Sequence, residues 1–425
     1  MDANVDASAA VALRRAAGAG RVLWLSTVAF TAMFAVWLMF GVIGIPIQKE
    51  FGLTDVQFAW LGAVAVLNGS IWRLWFGILS DRLGGRRVFT ALLLMSAASA
   101  LAIVHATTFG GLLVCAFLVG IAGNSFSAGI AWNAAWFPRS RQGVALGTFG
   151  AGNVGASVTK LFGPSLIAAV PAAGLAGGWY PGGWRAVPVA YAVLLTAIAA
   201  GLWLLAPADL RLETARRSMG QMLRPLRQAR VWRFSLYYVV VFGAYVALSL
   251  TLPKYYIATY HLSLKAAALL TALFIFPASL LRPLGGYISD QIGPRSVMYG
   301  VFSTMLLTTG LLAYGGPKGL SLGIAPFTSL VFIMGVAMGL GKAAVYKYVP
   351  EYFPRDIAAV GGLVGALGAL GGFVLPLLFG YLSRWSGLHE TPFAVMFGLT
   401  GVSFAWLHAA VRRTRASSSA VVGTS

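Results

Sequence analysis

The chain is 425 residues long, 59% hydrophobic and only 10% charged, with a mean hydropathy of +0.80, which lies far outside soluble composition. Its formal net charge of +20 comes from 31 Lys and Arg against 11 Asp and Glu, and the placement of those charges argues against a nucleic-acid partner. A single cysteine, Cys115, excludes an intrachain disulfide and a cysteine-based metal cluster.

Apolar runs of about 20 residues, enough to cross a hydrocarbon core of about 30 Å, recur along the whole chain. Twelve are predicted, over residues 22–47, 56–80, 88–105, 109–137, 142–170, 186–206, 232–259, 265–289, 296–315, 325–352, 357–383 and 391–411. The alternating segments of roughly 10 residues that mark a β-barrel are absent. The expected fold is an all-α polytopic membrane protein of twelve transmembrane helices in two pseudo-symmetric six-helix halves. The expected division is a tail at 1–21, a half at 22–206, a linker at 207–231, a half at 232–411 and a tail without regular structure at 412–425. The first stretch has no short apolar core ending at a cleavage site, so no secretory signal is expected.

Basic residues are unevenly spread over the loops: 20 fall on the side of the N-terminus, among them Arg82, Arg86 and Arg295, against six on the other. This bias is the positive-inside rule, and it predicts both termini in the cytoplasm of a multi-pass protein of the cell membrane. Five basic residues remain inside the predicted spans: Arg73, Lys160, Arg282, Lys342 and Lys347. Every acidic residue lies at a helix end, in a loop or in the N-terminal stretch. A buried charge without a partner costs several kcal/mol, so a bound anion is the simplest missing counter-ion. Lys347 is near enough to a helix end to snorkel.

Arg73 and Arg282 stand at equivalent places in an internal repeat. Arg73 to Arg86 and Arg282 to Arg295 align without a gap at an offset of 209 residues. In each copy an apolar helix carries the arginine about 12 Å from an Asp, Asp81 or Asp290, by helical rise. Intramembrane ionisable residues are functional-site candidates, and two related by a pseudo-two-fold axis point to a site between the halves. A second repeat, at an offset of 216, aligns Phe137-Pro138-Arg139 with Phe353-Pro354-Arg355 and the glycine-rich helices that follow. Such helices let neighbours approach to backbone contact, here as surfaces expected to slide.

The stretch Gly77-x-x-x-Asp81-Arg82-x-Gly84-Gly85-Arg86-Arg87 resembles the loop motif between helices two and three of the major facilitator superfamily, and Gly286 to Arg295 resembles its degenerate second copy. The resemblance implies gates built from Gly77, Asp81, Arg82, Arg86, Gly286, Asp290 and Arg295, with Asp81 expected to bias the open and closed states more than Asp290 does. The run Ala122-Gly123-Asn124 to Gly155, and that from Gly339-Leu-Gly341-Lys342 to Gly372, resemble the signatures of the nitrate/nitrite porter family. That likeness covers essentially all the spans. It implies an anion clamped by Arg73 and Arg282 and sandwiched by aromatic rings, with Tyr238 and Phe242 at matching positions.

Chemistry agrees with such a substrate. Nitrate is planar and singly charged, and a flat guanidinium fork suits it better than an ammonium does. Tyr238, Phe242 and Tyr245 share one helix face, with Tyr245 expected to serve packing. Asn153, about 18 Å into helix five, offers an amide hydrogen. Desolvated Lys160 and Lys342 are the candidate proton carriers for coupling, because the four histidines lie near predicted ends. The expected function is nitrate uptake, with nitrite as a second substrate, by proton symport under alternating access. Exchange of nitrate for nitrite is the alternative, and export of another small anion a more distant one. The expected partners are nitrate, nitrite, protons and the lipid bilayer, with no nucleic acid. No cofactor, no metal and no enzyme activity are expected, and the protein is read as a monomer.

Overall fold

The structure, a computed structural model, describes residues 2–171, 173–175, 177, 180–210, 219–314, 322–354 and 356–422, without the side chains of 2–16, 139–140, 219, 222, 358 and 414–422. Among the described residues nine helices are long and apolar enough to cross a membrane, and the bent pair Asp55–Ile71 and Arg73–Leu83 adds a tenth. The shorter Leu264–Leu280 and the glycine-rich pair Arg139–Ala151 and Gly155–Ala169 complete twelve spans. The described residues hold no strand, only an isolated bridge between Leu175 and Tyr180. Part of the predicted linker (211–218), together with Lys318 and Arg355, lies outside the described residues.

Several spans are broken, and the breaks position the site. Span 1 is interrupted between Asp2–Trp37 and Phe40–Phe51, and span 7 contains a π-helical turn at Val239–Gly243. Span 2 bends by 44° between Asp55–Ile71 and Arg73–Leu83. Span 8 breaks between Leu264–Leu280 and Arg282–Ile292. Each repeated arginine is therefore the first residue of a half-helix, not an interior residue of a continuous one as the apolar pattern suggested. The two half-helices match residue for residue at the repeat offset. Each ends on a glycine with positive φ, Gly84 at 92° and Gly293 at 80°, where a side chain would be strained. Half-helix N-termini carry partial positive charge and suit anions at mid-membrane.

The glycine-rich spans pack in a two-fold pattern. Span 2 lies along span 11 (Ile357–Ser386), and span 8 along span 5. A Cβ on Gly155 of span 5 would come within 1.9 Å of the Thr31 carbonyl of span 1, and one on Gly368 of span 11 within 2.2 Å of the Tyr238 ring of span 7. Each glycine helix also makes room for the arginine of the other half. A Cβ on Gly150 would sit 3.1 Å from the Arg282 guanidinium, and the Gly365 carbonyl accepts from Arg73.

One terminal expectation needs correction. The residues from Arg412 onward do not leave the fold without regular structure, because the last helix runs Thr391–Val422. At the other end, the first helix already begins at Asp2. Alanine-rich and arginine-containing stretches have high helix propensity, so a helix entering an apolar span extends into them.

Candidate anion site between the halves

Arg73 is fully buried and Arg282 is 5% exposed. A guanidinium has five N–H donors to satisfy. Arg73 donates from Nε to the Gly69 carbonyl at 2.7 Å and from Nη1 to the Gly365 carbonyl at 3.4 Å. Its Nη2, and Nη1 of Arg282, are buried and have no hydrogen-bond partner. No carboxylate of the described residues pairs with either arginine. The ion pairs Glu50–Arg185, Asp55–Lys254 and Asp290–Lys347 all lie at helix ends.

Aromatic rings fill the space around the two cations. The Arg73 guanidinium carbon is 5.4 Å from each of the Trp37, Phe126 and Phe242 ring centroids. That of Arg282 is 5.3 Å from Phe126 and 5.4 Å from Tyr346. Phe126 is thus shared by arginines from opposite halves. Tyr238 stacks on Phe242 at 5.0 Å and 10°, and its hydroxyl is buried without a partner. Cation–π contacts of this kind contribute about 1–2 kcal/mol when desolvated, and they hold the forks in place without consuming their N–H groups. Unspent donors beside π faces form a binding place for a flat anion.

The other predicted residues divide. Asn153 is fully buried, in the 3₁₀ turn Gly152–Val154 that breaks span 5, and both its amide atoms lack partners. Tyr245, expected to serve packing alone, ties this turn to the cage: its hydroxyl donates to the Asn153 carbonyl at 3.0 Å and its ring stacks on Phe242 at 6.2 Å. Lys342 is fully buried, donates to the Ala278 carbonyl at 2.8 Å and lies 3.2 Å from the Tyr245 centroid. Lys160 is not brought to the cage. It donates to the Leu38 carbonyl at 3.3 Å, at the break of span 1. Trp37, Phe126 and Tyr346 were missed by sequence reasoning. Phe126 and Tyr346 lie inside the two signature runs and could have been found there; nothing local marks Trp37.

The gate residues depart from expectation in detail. Asp81 is exposed and forms no ion pair with a described residue, whereas Asp290 of the degenerate copy pairs with Lys347 of span 10. Arg82 is exposed. Arg86 donates to the Trp203 carbonyl and lies 4.5 Å over the Trp203 ring, while its backbone N–H donates to Asp209 at 3.0 Å. Burial pushes the Asp209 carboxyl up, against the N–H donors of Arg86 and Arg87 that pull it down. Arg295 donates to the Tyr352 hydroxyl. Gly77 and Gly286 would accept a Cβ at ordinary contact, 3.7 Å and 3.9 Å, so the tight approaches belong to Gly85, at the start of the next helix, and to Gly285.

A polytopic helical fold in two repeated halves, with an unneutralised cationic site between them, is that of a membrane transporter. The family model of the Major Facilitator Superfamily matches residues 25–331 and 234–423. The probable nitrate/nitrite antiporter NarK1 of Thermus thermophilus is 59% identical over 92% of this chain and 91% of its own length. The probable nitrate/nitrite transporter NarK2 of Mycobacterium tuberculosis is 31% identical over 84% and 86%. The nitrite extrusion protein of Bacillus subtilis is 29% identical over 90% and 92%. A bacterial homologue of the human lysosomal transporter Spinster, solved inward-facing and unoccupied, shares the fold with a TM-score of 0.73 at 18% identity, covering 93% of this chain and 97% of that one. The chain belongs to the nitrate/nitrite porter family of the major facilitator superfamily.

Proposed function

We propose that this protein carries nitrate, and nitrite as a second substrate, across the cell membrane by alternating access, with both termini in the cytoplasm. The observation that carries the reading is the pair of arginines from opposite halves, facing one ring and each with a buried N–H group left unpartnered. A trigonal oxyanion bridging them neutralises charge that the protein leaves open, and the flat rings match its plane. The names of the relatives at 59% and 31% identity support the same substrate. In alternating access the anion draws the halves together around it, and the helix breaks at Trp72 and Leu281 are the joints nearest to it.

The coupled ion we propose is a proton, carried by Lys342, the ionisable side chain against Phe242 and Tyr245. Exchange of nitrate for nitrite is the second reading. Its support is that both lysines already donate to main-chain carbonyls and that two permanent cations disfavour reorientation of an empty carrier. Labelled-nitrate uptake into proteoliposomes separates the two. Accumulation driven by an imposed pH gradient supports symport, and uptake only against internal nitrite, indifferent to pH, supports exchange. Neither form of uptake, in protein that still melts cooperatively, would refute nitrate transport.

A further inference from the structure

One cavity lies apart from the arginine clamp. It lies at the end of the C-terminal half that carries the repeated loop motif, among span 7 (Ala229–Tyr260), the start of span 9, span 10 (Ile324–Tyr352) and the last helix, with a volume of about 380 Å³. Four arginines line it: Arg230, Arg233, Arg295 and Arg413. Two tyrosines form its floor. Tyr237 and Tyr348 are 0% and 2% exposed, and both hydroxyls are buried without a hydrogen-bond partner, as is Nε of Arg233.

Three of the four arginines are held against aromatic rings. Arg230 lies 5.4 Å and Arg295 5.9 Å from the Tyr352 ring, and Arg233 lies 5.3 Å from that of Phe234. None of these three forms an ion pair with a described residue, and Glu351, close to Arg295, is not part of the lining. A cavity with an excess of cationic donors and two orphaned hydroxyls is built for an anion with several acceptor oxygens. Phosphate has that form, and Arg is the residue type that grips it by bidentate bonds.

The apolar part of the lining indicates where the phosphate comes from. It includes Trp406, 37% exposed, and Leu407 and Val411 of the last helix. Exposed tryptophan beside apolar helix face and arginine marks the headgroup level of a bilayer. Basic pockets between helices on the cytoplasmic side are suited to anionic headgroups. We infer that this cavity is a second anion site, separate from the clamp, that holds the phosphate of an anionic membrane lipid. Because Arg295 belongs to the gate motif, an occupant ties the loop between spans 8 and 9 to spans 7, 10 and 12.

The test uses the full chain, purified in detergent, delipidated and titrated with dioleoyl phosphatidylglycerol, with dioleoyl phosphatidylcholine and with inorganic phosphate, followed by native mass spectrometry. Wild type should retain phosphatidylglycerol and not phosphatidylcholine. Arg230→Gln with Arg233→Gln should weaken retention about thirtyfold, from roughly 1 kcal/mol per arginine, with nitrate binding unchanged as proof of folding. Tyr348→Phe, which removes only a hydroxyl, should weaken it less and serves if the double variant does not fold. Displacement of phosphatidylglycerol by millimolar inorganic phosphate would support the phosphate site and assign its occupant to the free ion. Equal retention of phosphatidylglycerol by wild type and all variants, or no retention by wild type together with no phosphate binding, would overturn the inference.

Discussion

Arg73→Lys keeps the positive charge of the clamp and removes its fork. In the folded protein Nε and Nη1 of the guanidinium are spent on the Gly69 and Gly365 carbonyls while Nη2 remains unpartnered. An ammonium is a point donor on a flexible four-carbon stem, and it cannot hold both carbonyls and an anion in one plane. The loss is at least one charge-assisted hydrogen bond to the anion, about 1.5–3 kcal/mol. Poorer contact with the three rings at 5.4 Å adds up to about 1 kcal/mol. Together, roughly 2–4 kcal/mol correspond to about 30- to 1,000-fold in nitrate affinity. Uptake in proteoliposomes, with thermal melting as the folding control, measures it. Uptake by a well-folded Arg73→Lys protein within threefold of wild type would refute the fork, and with it the reason for an arginine at this place.

Other substitutions probe the surroundings. Gly150→Ala puts a methyl group 3.1 Å from the Arg282 guanidinium and should cut nitrate uptake severalfold while the melting temperature changes little; unchanged uptake would show that the glycine helix does not set the arginine. Asp55→Asn breaks the 2.5 Å pair with Lys254 that links the two halves. An exposed pair contributes up to about 1 kcal/mol, so side-specific cysteine labelling should report a shift of up to about fivefold between the two open states, and no shift would remove the pair from the gate. Lys342→Gln should abolish pH-driven accumulation, whereas Lys160→Gln, away from the cage, should leave more of it; the reverse order would relocate the proton. Asp290→Asn should alter the same labelling more than Asp81→Asn, because only Asp290 is paired among the described residues, and a larger effect at Asp81 would contradict this.

The twelve spans, the two halves and the arginine pair were legible because each rests on a strong signal. Apolar length reports span number, and a permanently charged group inside such a run is a stronger signal when it occurs twice at one offset. The helix breaks at Trp72 and Leu281 were not legible, although they decide where the arginines point. Pro283 hinted at the second, but Trp72 has no breaker beside it. Among the site residues, Phe242 and Tyr238 were reached through helix periodicity and family likeness. Trp37 was not, because an aromatic in an apolar span is normally packing and only tertiary contact places its face on Arg73. Lys160 and Lys342 looked equivalent in sequence, as buried amines in glycine-rich signatures. The fold separates them by directing one at a carbonyl of span 1 and the other across the Tyr245 ring.

Joint ownership of one anion by Arg73 and Arg282 is tested most directly by titration calorimetry of nitrate on wild type, Arg73→Lys, Arg282→Lys and the double variant. One nitrate per chain is expected. The double variant should bind little worse than the weaker single one, since either substitution already opens the clamp. Two nitrates per chain, or losses that simply add, would mean that the arginines serve separate sites.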